Sequence, residues 1–435
     1  MKILVIGSGG REHALCQTLR RTSKQPLELY CAPGGDAISE IARPVPISAT
    51  DVTALAAFAE AQRIELTIVG GETPLAAGLA DEFERRGLLV AGPRAEAAQL
   101  ESSKAFAKEF MARHRIPTAR FRVAASAEAA REILLGGEFG AEDAPVVVKA
   151  DGLAAGKGVV VAATRAEALE AVAGLMEGGR VGSEAARRVV IEEALKGTEA
   201  SLLFWTDGET YALMPPARDH KRIGENDTGP NTGGMGAITS AEVLDEATLA
   251  QVVREIVEPT LAGLRADGLE FRGVLFIGLM LTPAGARVLE YNVRFGDPEA
   301  QAILVRLESD LCEIFAAVAH KKLKGVEVNW SNDASACVVL AARGYPERPE
   351  TGARIEGLKE LGGAASVSDV QVFHAGTKRA GDGDDAWLVA GGRVLGITAR
   401  ARTLALALER CYEVVRHISW EGMQYRRDIG KFSRP

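Results

Sequence analysis

Four segments of the 435-residue chain combine residue types that could do chemistry together. The first is Gly7-Ser8-Gly9-Gly10-Arg11-Glu12-His13, which follows an apolar run. A glycine turn between a strand and a helix aims backbone N–H groups at an anion. Glu12 stands where a dinucleotide fingerprint has its last glycine, so the turn is not a full G-x-G-x-x-G. A phosphate or ribose ligand, a dinucleotide and a purely structural turn all stay open. The second segment is Lys149-Ala150-Asp151-Gly152-Leu153-Ala154-Ala155-Gly156-Lys157-Gly158. Its small residues let amides approach phosphate oxygens while Lys149 and Lys157 bring charge. It is not a Walker loop, because it is one residue short and Gly158 replaces the Ser or Thr. An ordinary hairpin loop is the alternative.

The third segment is Leu289-Glu290-Tyr291-Asn292-Val293-Arg294-Phe295-Gly296-Asp297-Pro298-Glu299. On a strand, Glu290, Asn292 and Arg294 share a face. A carboxylate beside an amide oxygen suits Mg²⁺, which binds through one or two carboxylates plus substrate phosphates. Arg294 suits a carboxylate or phosphate; a solvated strand face is the alternative. The fourth pairs Asp219-His220-Lys221-Arg222 with Gly229-Pro230-Asn231-Thr232-Gly233-Gly234-Met235-Gly236. It reads as a long irregular loop, and such loops inside compact domains are commonly functional; the alternative is a mobile surface loop. His220 alone is no evidence of catalysis, and His114, His320 and His417 read as surface or helix-face residues.

The elements that must hold these segments follow from apolar periodicity. Ile3–Ile6, Leu27–Cys31, Leu66–Val69 and Leu88–Val90 are short apolar runs. Helical stretches at Arg11–Arg21 and Asp51–Arg63 separate them, which implies βαβ units and a parallel sheet. A helix is expected over Ser103–Arg115, capped by Ser102 or Ser103. Residues 123–192 read as a compact α+β insert. Strands are expected within 199–215 and 273–293, with a helix at Ala247–Ala266 between them. Pro298–Lys322 reads as largely helical, and Gly325–Asp333 as a linker. The tail reads as short strands (Ala334–Ala342, Val370–His374, Trp387–Val389, Val394–Thr398) with a helix near Thr403–His417. The fold class expected is therefore α/β, α+β in part.

Composition narrows the function classes. At about 150 residues per domain the length suggests roughly three domains. Hydrophobic residues make up 47%, charged residues 25% and aromatics 5%, which are globular proportions. No run nears the ~18 apolar residues of a membrane span, and the N-terminal run is too short for a secretory signal. The five cysteines form no C-x-x-C pair, which argues against zinc clusters and for a reducing, cytoplasmic setting. A net charge of −8 disfavours nucleic acid as a partner. The 47 glycines, about 11% of the chain, exceed the usual roughly 7% and cluster in loops, where an approach to phosphates needs glycine.

Taken in order, these segments resemble the phosphoribosylamine–glycine ligase (glycinamide ribonucleotide synthetase) family of the ATP-grasp superfamily. Further matching stretches are Ser103-Lys104-Ala105-Phe106, Ile116-Pro117-Thr118-Ala119, Phe373-His374-Ala375-Gly376-Thr377-Lys378, Gly391-Gly392-Arg393-Val394-Leu395 and Arg427-Asp428-Ile429-Gly430. The resemblance runs nearly end to end. It implies an N-terminal parallel-sheet domain (1–102), an ATP-grasp domain (103–325) with an inserted lid (123–192), and a small, mostly β C-terminal domain (326–435). The implied reaction joins glycine to 5-phosphoribosylamine at the expense of ATP, through a glycyl phosphate, in purine synthesis. ATP is the co-substrate and Mg²⁺ or Mn²⁺ the metal. The partners are small molecules only, with neither nucleic acid nor membrane, and the protein is a free-standing cytoplasmic monomer or weak homodimer.

Residue by residue, the resemblance implies that Lys104 and Lys149 contact ATP phosphates under a loop containing Gly152, Gly156, Lys157 and Gly158. Glu192, Glu193 and Leu195 would line the adenine, and Glu199 would take the ribose hydroxyls. Glu290 and Asn292 would hold the metal, Arg294 the glycine carboxylate, and Asp297 an amine. Asp219, Lys221, Gly233 and Gly234 would complete the glycine site. Gly9, Gly10, Arg11 and Glu72 would face the ribose of phosphoribosylamine, and Lys378 and Arg393 its 5′-phosphate. Two departures from the family pattern are Gly71, where Pro is typical, and Gly35, where Asn is usual. A different ATP-grasp ligase, a non-enzymatic nucleotide-binding protein and a dehydrogenase are the competing readings.

Overall fold

A computed structural model of the chain describes residues 1–154, 158–178, 182, 185, 187–358, 370–381 and 384–431. Gly156 and Lys157 lie outside the described residues. The apolar runs near the N-terminus form a five-stranded parallel sheet. Its order is Arg43–Pro44, Glu28–Pro33, Lys2–Gly7, Leu66–Val69, Val90–Ala91. The last strand is shifted from the expected Leu88–Val90. Ile3 to Ile6 are fully buried, as expected of a central parallel strand covered on both faces. Strand order reverses at Lys2–Gly7, and ligands of open α/β sheets bind beyond the carboxyl ends at such a point. Gly7–Gly10 and Gly70–Glu72 leave the sheet there. Helix Val52–Gln62 begins as expected, with the Asp51 carboxylate accepting the Ala54 N–H at 3.1 Å.

Residues 121–193 make a separate layer. Its four antiparallel strands run in the order Phe121–Ala124, Val189–Glu193, Val146–Ala150, Val159–Ala162. Helices Ala127–Leu135 and Arg165–Met176 cover the sheet, and Ala130, Leu134, Val148, Val172, Leu175 and Ile191 form a core of their own. The sequence spans of this insert and of helix Lys104–Arg113, capped by Ser103, match the expected ones closely.

The largest sheet is antiparallel and unites two blocks that the sequence separates. Its order is Gly285–Asn292, Gly273–Thr282, Thr198–Thr206, Ala217–Asp219, Gly236–Thr239, Ala334–Ala341, Arg393–Ala401, Val370–His374. Three tail strands thus continue the sheet that carries Glu290, through the pairing of Gly236–Thr239 with Ala334–Ala341. A second tail sheet joins Arg354–Ile355, Asp384–Val389 and Thr377–Gly381. The expected Ala247–Ala266 helix is interrupted by a π turn at Val253–Val257. The expected 298–322 helix is two, Glu299–Leu304 and Leu311–Ala319. Helix Ala95–Ser102 was not anticipated. No helix among the described residues is long and apolar enough to cross a membrane, and all five cysteines are buried and free.

Candidate functional site

Strand Gly285–Asn292 brings Glu290 and Asn292 to one face, and the chain beyond it folds Arg294 back onto them. The Arg294 guanidinium donates to Asn292 Oδ1 at 3.0 Å. It also pairs with Glu72 Oε2 at 3.1 Å and Glu101 Oε1 at 2.6 Å. Glu101, at the end of helix Ala95–Ser102, in addition accepts the Val293 N–H at 2.8 Å. Burial pushes the Glu101 carboxyl up to about 7, against the pull of Arg294. Desolvation would also raise the Glu290 carboxyl, but Lys221, Lys149, Lys104 and Arg294 outweigh it and hold it below its ordinary value. Glu290 is therefore ionised and set among cations.

Those cations come from three elements. Lys149, on strand Val146–Ala150, meets Glu192 Oε1 at 2.8 Å and the Leu289 carbonyl at 3.2 Å. Lys104, at the first turn of its helix, donates to the Gly152 carbonyl at 2.8 Å, and desolvation lowers its pKa. Lys221 reaches Glu199 Oε2 at 2.9 Å and Glu290 Oε1 at 3.9 Å. The Glu199 charge, with Glu290, holds its ammonium well above the usual lysine range. Asp151 locks the glycine loop to the Lys104 helix: one carboxylate oxygen accepts from Ser103 Oγ at 2.9 Å and from the Ala105 N–H at 3.0 Å. Its other oxygen pairs with Arg188 at 2.6 Å. Gly152 (φ +155°) and Gly158 have no room for a side chain, since an added Cβ would lie 2.7 Å from Ala185 and Ala154 respectively.

A second cluster lies where the N-terminal sheet, the Asp297 segment and the tail meet. Asp297 accepts from Gln301 Nε2 at 2.7 Å and pairs with Arg393 at 3.1 Å. Desolvation opposes its ionisation, but Arg393 and Arg11 hold its carboxyl below its ordinary value. Arg393 also donates to the Gly233 and Asp297 carbonyls. Gly10 approaches Gln301 and Ala375, and Gly9 faces Asp297. Asp219 sits beneath Gly234 (φ +114°), whose added Cβ would lie 2.7 Å from Asp219 Oδ1 and 2.5 Å from Pro298. Asp219 Oδ1 is buried without a hydrogen-bond partner. Desolvation, reinforced by Glu299, pushes the Asp219 carboxyl well up, and burial raises Glu299 as well. The two carboxyls therefore resist ionising together.

The chain matches the N domain of phosphoribosylglycinamide synthetase over residues 1–101, its ATP-grasp (A) domain over 102–300 and its C domain over 335–432. The chain belongs to this family. It is 46% identical over 434 residues to the phosphoribosylamine–glycine ligase of Brucella melitensis, covering 99% of this chain and 97% of that protein. Identity to the Vibrio cholerae ligase is 47% over 433 residues, with 99% and 98% covered. The crystal structure of the Thermotoga maritima ligase superposes with a TM-score of 0.82 at 32% identity, over 98% and 100% of the two chains. A biotin carboxylase from Campylobacter jejuni shares the fold at a TM-score of 0.69 and 16% identity, with 98% and 92% covered; that likeness concerns the fold alone.

As a member of the phosphoribosylglycinamide synthetases, the chain is an ATP-grasp enzyme, and its family-implied residues can be placed one by one. Glu290, Asn292, Arg294, Glu72, Lys104, Lys149, Lys221 and Glu199 come together. Asp297, Asp219, Gly233, Gly234, Arg393, Gly9, Gly10 and Arg11 form the adjoining cluster. Several also have partners within the protein that the sequence did not indicate. The Glu192 carboxylate is buried between Lys149 and Lys108, the latter at 2.8 Å. Glu193 is held by Arg120 at 2.8 Å. Leu195 is half-buried in the 194–197 link between strands Val189–Glu193 and Thr198–Thr206. At the N-terminus of the helix after Gly9, the Glu12 carboxylate accepts the Gly9 N–H at 2.7 Å. The 219–236 loop is not irregular: Arg222–Gly224 and Thr228–Asn231 pair as a hairpin. Arg393 is drawn to Asp297. Lys378 is exposed and joined to none of these by a hydrogen bond or ion pair among the described residues.

Glu101, Lys108, Asp151, Glu299 and Gln301 were given no role by the sequence. Asp151 and Glu299 lie inside segments singled out for other residues, whereas nothing local marks Glu101 or Lys108. For a divalent cation, Glu290 and Asn292 offer one carboxylate and one amide oxygen. No group of three His, Cys, Asp or Glu residues suited to a metal exists among the described residues. The donor set fits Mg²⁺, whose remaining ligands are commonly substrate phosphates and water.

Proposed function

We propose that this chain ligates glycine to 5-phosphoribosylamine with ATP, giving glycinamide ribonucleotide, ADP and phosphate. The observation that carries the reading is the ionised Glu290, beside Asn292 and Arg294, ringed by Lys104, Lys149 and Lys221. Phosphoryl transfer depends on positioning and charge neutralisation, so this arrangement suffices without a nucleophilic side chain. Lys104 and Lys149 hold the ATP phosphates. Glu290 and Asn292 would hold Mg²⁺ or Mn²⁺, which would neutralise charge on those phosphates. Arg294, braced by Glu72 and Glu101, orients the glycine carboxylate, and Asp219 Oδ1 receives an amine hydrogen.

In the first step a glycine carboxylate oxygen attacks the γ-phosphorus and ADP leaves, giving glycyl phosphate. In the second, the phosphoribosylamine nitrogen attacks the glycyl carbonyl carbon, phosphate leaves, and the amine gives up one proton, which Asp297 accepts. Gly9, Gly10 and Arg11 border the ribose end, with Arg393 and Lys378 toward its phosphate. The functional units are 1–102, 103–325 with a lid at 123–192, and 326–435, in a cytoplasmic monomer or weak homodimer. The test is phosphate release with ATP, glycine and freshly made phosphoribosylamine, against each omitted in turn. The reading requires dependence on all three; release that ignores glycine would refute it.

A further inference from the structure

The Arg427-Asp428-Ile429-Gly430 motif has no part in the chemistry above, yet with Arg426 it ties the tail to a hairpin about two hundred residues earlier in the chain. The Arg426 guanidinium, 1% exposed, donates through Nε and Nη2 to the two Asp428 oxygens at 2.8 and 2.7 Å. Through Nη1 it reaches Asp227 Oδ1 at 2.7 Å and the Arg222 carbonyl at 3.1 Å, both about two hundred residues earlier in the chain. Asp428 Oδ2 accepts the Asn226 N–H at 2.8 Å. Asn226 and Asp227 hold the hairpin turn with φ of +56° and +54°, a left-handed conformation that non-glycine residues adopt reluctantly. Next along the tail, the Gly430 N–H donates to His220 Nε2 at 3.1 Å, and Ile429 packs against Gly236. The tail is itself anchored to helix Leu404–Val415, because Tyr412 Oη donates to the Arg426 carbonyl at 2.8 Å.

These ties all grip the back of one hairpin. Side chains alternate along an extended segment, so with the His220 ring turned to the tail, its neighbours Asp219 and Lys221 turn the other way. Lys221 reaches Glu199 and Glu290, and Asp219 lies under Gly234. We propose that the Arg426–Gly430 segment is a positioning clamp that sets the 219–236 hairpin, and through it Asp219 and Lys221, for the amino-acid substrate. This rests on the proposed function, since it takes the hairpin as the wall of the glycine site. Arg426 and Asp428 touch no reacting group; they act through the hairpin.

Two variants separate this from general structural support. Asp227→Ala removes one hairpin tie, the ion pair with Arg426, at a residue whose side chain is 65% exposed, and leaves the Arg426–Asp428 pair and the backbone ties intact. Arg426→Lys keeps the charge but cannot form the forked contacts. The clamp predicts that the KM for glycine rises about ten-fold in Arg426→Lys, the scale of one lost charge-assisted hydrogen bond, and less in Asp227→Ala, while the KM for ATP stays within about two-fold. Trypsin, cutting after Lys221 and Arg222, should cleave the hairpin of both variants faster than that of the wild type. If both KM values rise together, or neither KM nor cleavage changes in Asp227→Ala, the clamp is refuted. If the wild type shows no glycine-dependent phosphate release, the proposed function falls, and the rate of hairpin cleavage alone judges the clamp.

Discussion

Acid should loosen the junction between the N-terminal sheet and the tail, and the size of the effect follows from His13. This side chain is fully buried on helix Gly10–Thr22. Its Nδ1 accepts the His374 N–H at 2.9 Å. An Nδ1 that accepts a backbone N–H carries no proton, so the ring must be the neutral Nε2–H tautomer. Protonation would set two N–H groups against each other inside the fold. Burial pushes His13 down to about 4 and His374 down to about 3, against 6.5 in the unfolded chain. Because the folded values are depressed, the unfolded state binds the extra protons. The stability held above pH 6.5 is lost as pH falls toward 4. At pH 5 the unfolded imidazole is almost wholly protonated and the folded one almost wholly neutral, which costs about 2 kcal/mol for His13 alone. That is roughly a thirty-fold change in the unfolding equilibrium.

The assay is urea unfolding at 25 °C in half-unit steps from pH 7.5 to 5, on the wild type and His13→Gln. Glutamine offers an amide oxygen to the His374 N–H but does not titrate. The variant should lose about 2 kcal/mol less than the wild type across that interval, while His374 and His220, which burial lowers to about 4, keep a residual slope in both. Parallel curves for the two proteins would refute the argument from His13.

Glu290→Ala should lower glycine-dependent phosphate release by about a hundred-fold or more, since disturbing even an outer-shell metal partner can cost that much; steady-state turnover at saturating ATP checks this. Glu192→Gln leaves the buried Lys108 and Lys149 ammoniums without their shared carboxylate. It should destabilise the fold by about 3 kcal/mol and weaken ATP binding, read by urea unfolding and nucleotide titration. Gly234→Ala places a methyl against Pro298 and Asp219 at a left-handed position. It should cost at least about 1 kcal/mol of stability and raise the KM for glycine more than that for ATP.

The legible part of the fold was what local pattern specifies. Ile3–Ile6 reads as a buried parallel strand, and Asp51 and either Ser102 or Ser103 read as helix caps. Sheet neighbours far apart in sequence had no such signal. The strand Ala334–Ala341 pairs with Gly236–Thr239 across about a hundred residues, and nothing in either segment names its partner. Strand Thr377–Gly381 is polar and shows no apolar alternation. In the site, residue types suited to ligands were visible from their motifs, but the residues that hold those residues were not. Glu101 ends an eight-residue helix with little amphipathic pattern, and its role exists only because Arg294 and Val293 arrive beside it. The resemblance implied a place for Glu192 beside the adenine, but nothing local announced its two lysine partners, which come from different elements.

Glu12 shows how a broken pattern can be the functional statement. Its presence argued against a dinucleotide turn, since a third glycine there would let helix and strand pack closely. In the fold its carboxylate fills that space. A Cβ on Gly70 would lie 2.1 Å from Glu12 Oε1, and one on Gly7 2.5 Å from its side chain. Glu12 thus leaves no room for a side chain at either glycine. The carboxylate caps its own helix through the Gly9 N–H and pairs with Arg11 at 2.7 Å. Arg11 in turn donates to the Phe295 carbonyl at 3.1 Å, between Arg294 and Asp297. The residue that spoils the fingerprint therefore fastens the N-terminal sheet to the segment on which the proposed glycine and amine contacts depend.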